Sequence, residues 1–308
     1  MKIILLGPTA SGKTELSIQI AEELGIPIIS VDSRQCYKHV DIGTAKPSKS
    51  DLDRVQHYNI SNLELTESDS VQAFSNRAEL WEQEILSQHQ HSLFVGGSTL
   101  HLQSLIRPMD DIPSANKANI EALTEEVEQH GMEFLYNRLT EVDPDYIKTI
   151  DGMNRQRIIR ALDVWMQTDK PFSSFHVNKE FILPPNTLVF GLHRERENLY
   201  ERINTRVDIM IEEGLIDEVR GILDQGFSKE LQPLNAVGYR EIISHFEGDL
   251  TQAEAIEKIK THSRRYAKRQ LTWFKRWDFV EWLPAQSKKI EELKEIMISH
   301  LAAKLDKQ

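Results

Sequence analysis

The sequence has little cysteine and no long hydrophobic run, and both shortages limit what the protein can be. Cys36 is the single cysteine among 308 residues, which excludes an intrachain disulfide and a cysteine-based zinc site. The first apolar run, residues 3–6, ends at Gly7 and is too short for a signal peptide or a membrane span. We therefore expect a cytoplasmic protein with no membrane partner.

Positive charge is also in short supply. Lysine and arginine number 37 against 48 acidic residues, so the formal net charge is −11. This balance argues against a protein that coats nucleic acid indiscriminately. Screening confines each charge to roughly 8–10 Å at physiological salt, so a local basic groove remains compatible with the acidic total. The histidines show no ligand spacing such as H-x-x-x-H, and none is assigned to a metal.

A phosphate-binding loop lies close to the start of the chain. The pattern G-x-x-x-x-G-K-[ST] is matched at every fixed position by Gly7, Pro8, Thr9, Ala10, Ser11, Gly12, Lys13 and Thr14. An apolar strand over residues 2–6 precedes it, and a helix from Lys13 to Gly25 is predicted to follow. Backbone N–H groups and the helix N-terminus favour an anion there. Lys13 adds a charge, and the Thr14 hydroxyl is suited to Mg²⁺, which we expect as cofactor.

Asp32 is the only acid at a strand end beside this loop. It directly follows a second predicted strand, 27–31, whereas the run 93–95 ends in Gly-Gly-Ser. An ordinary kinase would place a second metal-binding carboxylate at such a strand end. Asp32 can support Mg²⁺, take a proton from a nucleophile, or serve as a turn carboxylate. The residues alone leave these readings open.

The order of predicted elements indicates a doubly wound parallel sheet. Further strands are expected at 92–95, 187–192 and 279–283, and helices at 69–90, 99–106 and 287–305. Acidic residues outnumber basic ones from 108 to 151, and no strand-like run interrupts the chain from about 110 to 180. We predict a P-loop NTPase-like α/β core, residues 1–109 and 185–308, with an inserted all-helical domain at 110–184.

Five stretches resemble the tRNA dimethylallyltransferases, also called tRNA isopentenyltransferases, of bacterial type. They are VDSRQCYKHVDIGTAKP (31–47), LFVGGSTL (93–100), NRQRIIRALDV (154–164), AVGYREI (236–242) and AKRQLTWFKRW (267–277). The likeness runs in consistent order from residue 3 to about 283. It implies that the loop holds the diphosphate of dimethylallyl diphosphate, and that the five-carbon group goes to N6 of adenosine 37 in tRNA.

The resemblance also implies roles for individual residues. Asp32 is the implied base, Thr9 a contact near the reacting carbon, and Arg206 a diphosphate contact beside Lys13 and Thr14. In isolation Arg206 reads as a solvated helix charge. Contacts to the anticodon arm of tRNA are implied for Asp32, Ser33, Arg34, Gln35, Ser98, Gln156, Arg157, Ile158, Ile159, Arg160, Asn235, Ala236, Val237, Gly238, Tyr239 and Arg240. Ser98 occupies a position that is commonly threonine in the family, and relatives often carry an arginine near Asn119 that this chain lacks.

The strongest basic signal lies at 260–276, where lysines and arginines occur with no acid among them. Arg265, Lys268, Arg269 and Thr272 should project from one side of a helix and suit an RNA backbone, so we add Arg265 and Arg269 to the tRNA site. The interleaved Tyr266, Trp273 and Phe274 are expected in the core.

Three other functions fit parts of the sequence. A P-loop kinase for a small metabolite accounts for residues 7–14 and Asp32 but leaves the basic run without a role. An adenylate isopentenyltransferase that uses AMP or ADP keeps the chemistry and does not need that run. A non-catalytic RNA-binding protein does not need Lys13, Thr14 and Asp32. We expect a monomeric tRNA-modifying transferase.

Overall fold

The computed structural model describes residues 1–107, 110, 112–176 and 183–306. The chain divides into two compact units, one of Met1–Arg107 with Leu183–Gln308 and one of Pro108–Ile182. Residue 109, the predicted end of the first core segment, lies outside the described residues, as do residues 177–180 of the predicted helical stretch.

The first unit is built on one six-stranded sheet in which every pairing is parallel, with strand order β3-β2-β4-β1-β5-β6. Its strands are β1 (Lys2–Leu6), β2 (Ile28–Val31), β3 (His57–Tyr58), β4 (Ser92–Gly96), β5 (Thr187–His193) and β6 (Glu281–Pro284). The strands from 2, 28, 92, 187 and 281 confirm the predicted ones, because continuous apolar runs suit strands covered on both faces. Strand β3 was not predicted, because its two residues are too few to show a period.

The described residues form thirteen α-helices and two short 3₁₀ helices, Phe172–Phe175 and Gln232–Asn235. The α-helices are α1 (Lys13–Leu24), α2 (Lys49–Arg54), α3 (Val71–Gln88), α4 (Thr99–Ile106), α5 (Lys117–His130), α6 (Met132–Val142), α7 (Pro144–Ile147), α8 (Arg155–Thr168), α9 (Arg196–Glu212), α10 (Leu215–Asp224), α11 (Tyr239–Phe246), α12 (Gln252–Phe274) and α13 (Ile290–Leu305). The predicted helices from 13, 69, 99 and 287 are confirmed.

Two large apolar clusters among the described residues stabilise the first unit. One lies between the sheet and the pair α1 and α13, with Leu5, Leu16 and Leu301 among its buried side chains. The other joins α9, α10, α11 and α12 to the segment from 36 to 65. Full burial of a leucine or isoleucine stabilises the fold by roughly 1.5–3 kcal/mol. These clusters therefore fix the helices that surround the carboxyl edge of the sheet.

That edge is where a site is expected, because the loops that follow parallel strands all open on the same side. Leu6 and Val31 both pair with Gly96 in the strand register. The phosphate loop after β1, Asp32 after β2 and Gly97 after β4 are thus brought to one place by the sheet itself.

Every regular element among the described residues of the second unit is a helix, as the uninterrupted stretch from about 110 to 180 predicts. Helices α5, α6 and α8 pack on one another around Leu123, Leu139 and Leu162, all fully buried. Asp163 of α8 is also fully buried. Its carboxylate accepts hydrogen bonds from the side chains of Asn119, Arg160 and Gln167 at 2.6–3.1 Å.

Among the helices in the described ranges, none is long and apolar enough to cross a membrane.

Candidate active site

The phosphate loop leads directly into α1. Gly12 caps the helix with φ of 104°, a left-handed conformation that favours glycine. Lys13 Nζ donates to the carbonyl oxygens of Gly7 at 3.0 Å and Pro8 at 2.8 Å. Enclosure of the ammonium group and the nearby charge of Arg206 lower the pKa of Lys13 to about 7, against an opposing effect of Asp32. Arg206 is therefore a second cation close to Lys13.

Two arginines that were not predicted donate hydrogen bonds to the backbone of this loop. Arg194 Nε donates to the Ser11 carbonyl at 2.8 Å, and Arg202 Nε donates to the Ala10 carbonyl at 2.9 Å. Arg206 lies one turn beyond Arg202 on α9, and burial lowers its pKa. The spacing of four between 202 and 206 places both on one helix face, and that spacing was the available signal.

A cavity of about 350 Å³ opens beside the loop, lined entirely by the first unit. Its lining includes the predicted residues Thr9, Lys13, Thr14, Asp32, Ser33, Arg34, Gln35, Arg206, Asn235, Ala236, Val237 and Gly238. It also includes residues that were not predicted, among them Thr44, His57, Ser263 and Gln270. The structure thus brings together the loop, the carboxylate after β2 and the NAVG stretch before α11.

Asp32 serves as a turn carboxylate and as part of the cavity at once. Its Oδ1 accepts from the N–H groups of Arg34 at 2.8 Å and Gln35 at 3.2 Å, which holds the carboxylate in place. The pKa of Tyr266 is raised to about 12, first by enclosure of its hydroxyl and then by the negative charge of Asp32. Tyr266 lines the same cavity and is 38% exposed, so the expectation that it belongs to the core is wrong, whereas Phe274 is fully buried as expected.

The loop 41–47 forms another wall of the cavity and is held from behind. Gln35 Nε2 donates to the carbonyls of Thr44 at 3.2 Å and Ala45 at 3.0 Å. Glu218 accepts from the N–H groups of residues 41, 42 and 43 at 2.8–3.2 Å, and from the Tyr239 hydroxyl at 2.6 Å. Glu218 was not predicted, because an acid in the first turn of an amphipathic helix gives no sequence signal of such a role.

Three other predicted contacts have partners inside the first unit. Burial and the neighbouring Glu218 carboxylate raise the pKa of Tyr239, whose side chain is fully buried and packs rather than faces solvent. Arg240 is exposed and donates to Glu241 Oε1 at 2.7 Å. Ser98 Oγ lies 2.9 Å from His101 Nδ1 and is partly exposed.

The predicted stretch 156–160 belongs to the second unit. Gln156 and Arg157 are exposed, whereas Ile158 and Ile159 are buried in its core and pack there instead of presenting side chains to a partner. Arg160 is 30% exposed; it contacts Asp163 at 2.6 Å and donates to the Pro113 carbonyl.

Helix α12 presents the predicted basic face. Arg265, Lys268, Arg269 and Thr272 are all exposed. The Arg269 guanidinium lies 5.8 Å from the centre of the Tyr266 ring, a cation–π distance. This face carries cations beside an aromatic residue that borders the cavity.

The donor set fits Mg²⁺ carried by a diphosphate better than an ion caged by protein. The described residues contain no group of three or more His, Cys, Asp or Glu side chains able to hold a metal. Thr14 and Asp32 line one cavity, and Mg²⁺ characteristically takes one or two carboxylates together with phosphate oxygens and water. The buried Ser11 hydroxyl in the loop has no partner within the protein, which leaves one more polar group for an anion.

The sheet and its loop define a P-loop α/β protein with a carboxylate beside its anion cradle. Residues 35–277 match the family model described as IPP transferase. The chain therefore belongs to the IPP transferase family.

Proteins of known name or structure resemble the chain over nearly all its length. A tRNA dimethylallyltransferase of Clostridioides difficile is 41% identical over 97% of this chain and 96% of its own. The crystal structure of the tRNA isopentenylpyrophosphate transferase of Bacillus halodurans superposes with a TM-score of 0.72 at 36% identity, covering 99% and 98% of the two chains. A eukaryotic dimethylallyltransferase acting on tRNA gives a TM-score of 0.77 at 25% identity, covering 92% of this chain and 74% of that one.

Proposed function

We infer that the protein transfers the dimethylallyl group from dimethylallyl diphosphate to N6 of an adenosine in tRNA and releases pyrophosphate. The acceptor is adenosine 37, in the anticodon loop. One observation carries this inference: Lys13, Thr14 and Asp32 line the same cavity, so an anion cradle and a proton acceptor face one space. Membership of the IPP transferase family identifies the transferred group.

Departure of pyrophosphate from the allylic carbon is the step that the loop assists. As the carbon–oxygen bond breaks, negative charge accumulates on the leaving oxygen, and preorganised donors stabilise it. Lys13 and Arg206 supply cations, and the start of α1 supplies backbone N–H groups. The Thr14 hydroxyl would hold Mg²⁺, which when bound neutralises part of the diphosphate charge.

The acceptor amine is a weak nucleophile because its lone pair is delocalised into the adenine ring. Bond formation between N6 and the allylic carbon must therefore be accompanied by loss of an N6 proton, and Asp32 takes it. Its carboxylate is held by two backbone N–H groups at 2.8 and 3.2 Å, which limits its movement during the transfer.

The five-carbon group needs an apolar surround, and α9 offers one. Ile203, Val207 and Met210 lie on one side of that helix and line the cavity together with Arg206.

The tRNA must bring its target base into this cavity. A base must leave its stack to reach such a cavity, and a hairpin loop reduces this cost because its bases are poorly stacked. Arg157, Arg265 and Arg269 are exposed cations for the tRNA backbone. The helical insertion 110–184 binds the anticodon arm, and the enzyme acts as a monomer.

Mass spectrometry tests the inference directly. Purified protein, Mg²⁺, dimethylallyl diphosphate and tRNA should give an adenosine heavier by one C₅H₈ unit. Parallel reactions replace the donor with ATP and the acceptor with AMP or ADP. Phosphoryl transfer from ATP, or prenylation of free nucleotide but not of tRNA, would contradict the proposed function.

Asp32→Asn tests the role of the base. The amide oxygen can still accept from Arg34 and Gln35, so the turn should persist while the proton acceptor is lost. Turnover should fall by roughly 10²-fold or more, with tRNA affinity nearly unchanged. Turnover close to that of the unmodified protein would remove Asp32 from the chemistry.

A further inference from the structure

Gln270 of α12 is buried, and its side-chain amide joins two loops of the site. Its Oε1 accepts a hydrogen bond from the Thr9 N–H at 3.0 Å, and its Nε2 donates to the Gly97 carbonyl at 2.7 Å. Both partners are backbone groups of fixed polarity, which sets the orientation of the amide. Thr9 follows β1 and Gly97 follows β4, the neighbouring strand. One side chain thus bridges the loops that follow two adjacent strands.

The atoms around the Gln270 amide are closely packed. A Cβ atom at residue 97 would lie 2.5 Å from Gln270 Nε2 and 3.1 Å from the Gly7 carbonyl oxygen. The second of these atoms belongs to the phosphate loop. Glycine at 97 therefore allows the loop after β4 to approach both the amide and the phosphate loop closely.

The hydrogen bond to Gln270 also determines whether the Thr9 N–H can bind an anion. N–H groups of a phosphate loop ordinarily point at the anion. The Thr9 N–H donates to Gln270 instead, although Thr9 lines the cavity. An amide outside the loop thereby sets the orientation of a residue inside it.

We propose that Gln270 is a positioning residue for prenyl transfer. It fixes the phosphate loop, which holds the leaving group, relative to the loop after β4, whose Gly97 lines the same cavity. Gln270 acts through Thr9 and Gly97 and does not touch the reacting atoms. The assignment rests on the proposed function, because the distance it sets is the one between the allylic carbon and the attacking amine.

Gln270→Glu provides a test with an internal switch. A protonated carboxyl can reproduce both bonds, with its carbonyl accepting from Thr9 and its hydroxyl donating to Gly97. Once ionised, the same group accepts from Thr9 but has no hydrogen for the Gly97 carbonyl and repels it. Burial raises the pKa of the introduced carboxyl, so its ionisation falls within an accessible range.

The measurement is the single-turnover rate of transfer with both substrates bound, as the ratio of variant to unmodified protein. We expect that ratio to fall by about 10- to 100-fold between about pH 6 and pH 9, because a small misplacement of reacting groups has effects of this size. The other titratable groups of the cavity occur in both proteins and cancel in the ratio; they are Lys13, Asp32, Arg34, His57, Arg206 and Tyr266. The KM for each substrate should stay within about threefold.

Gln225→Glu is the matched control. Gln225 is the exposed residue that directly follows α10, and its Nε2 donates to the Gly221 carbonyl, so the same substitution there should give a ratio near one at every pH. A ratio for Gln270→Glu that stays near one from low to high pH would overturn the proposal. So would an equal loss of both substrate affinities with an unchanged single-turnover rate.

Should Gln270→Glu fail to fold, Gln270→Met decides by the same rate criterion, since it keeps length and removes both hydrogen bonds. A single-turnover rate for Gln270→Met equal to that of the unmodified protein would overturn the proposal. Failure of the proposed function is a separate result, because the unmodified protein would then leave tRNA without a prenyl group.

Discussion

Helices α8 and α12 both carry closely spaced arginines, yet the two helices use them differently. In α8 the Arg160 guanidinium is bound to Asp163, an acid three residues further along the same helix. In α12 no acid occurs between 260 and 276, so Arg265 and Arg269 lack a carboxylate at helical spacing, and both are exposed. The number of arginines says little by itself. What separates a structural arginine from one available to RNA is whether an acid stands within one helical turn.

Among the substitutions that test this difference between α8 and α12, Asp163→Ala should have the largest effect. Asp163→Ala leaves Arg160, Asn119 and Gln167 without their shared acceptor in the core of the second unit. We expect the free energy of unfolding to fall by about 3 kcal/mol, because breaking a buried ion pair leaves uncompensated polar groups. Denaturant titration of the full chain measures it.

Asp217→Ala is the corresponding control. Asp217 and Arg220 also form a pair three residues apart, at 2.8 Å, but both side chains are largely exposed. Asp217→Ala should lower the free energy of unfolding much less than Asp163→Ala does, because exposed ion pairs stabilise a protein little. Equal losses from the two variants would mean that the Arg160–Asp163 pair is no more structural than a surface pair.

The double substitution Arg265→Ala with Arg269→Ala should have the next largest effect. We expect tRNA affinity to fall about 10-fold, and the salt dependence to flatten by about 0.7–0.9 in log–log slope for each lost phosphate contact. Affinity for pyrophosphate should be unchanged. Filter binding at several salt concentrations measures the slope, with Arg220→Ala on α10 as control. A slope equal to that of the unmodified protein would remove this face of α12 from the tRNA site.

Arg157→Ala should have the smallest effect and sharpens the comparison within α8 itself. Arg157 is exposed, one turn before Arg160 on the same helix. We expect tRNA affinity to fall about threefold with no loss of stability, the signature of one phosphate contact. A fall in stability without a change in affinity would assign Arg157 to the fold, as we assign Arg160.

Most of the fold was predictable from sequence because most of its strands and helices have a recognisable local pattern of apolar residues. The apolar run before Gly7 becomes β1, and Thr99–Ile106 is helical over the predicted residues. The two-residue strand β3 and the short helix α2 had no such pattern, since neither is long enough to show a period.

The site was predictable only where its residues lie in motifs. The phosphate loop and Asp32 stand beside strand ends, and parallel topology brings such ends together. Arg194, Arg202 and Gln270 reach the loop from elements far along the chain, at contacts separated by more than 180 residues. The burial of Ile159 and Tyr239 within motif stretches likewise depends on tertiary packing, which adjacency in sequence does not reveal.

The carboxylate of Glu218 has one more implication. Three successive N–H groups that converge on one point form a concavity that attracts anions, and such a concavity on loop 41–43 would compete for the product or for the tRNA backbone. Here the concavity is filled from within, by a side chain that also binds the Tyr239 hydroxyl. Glu218 therefore occupies these three N–H groups, which are not available to an external anion such as pyrophosphate or an RNA phosphate.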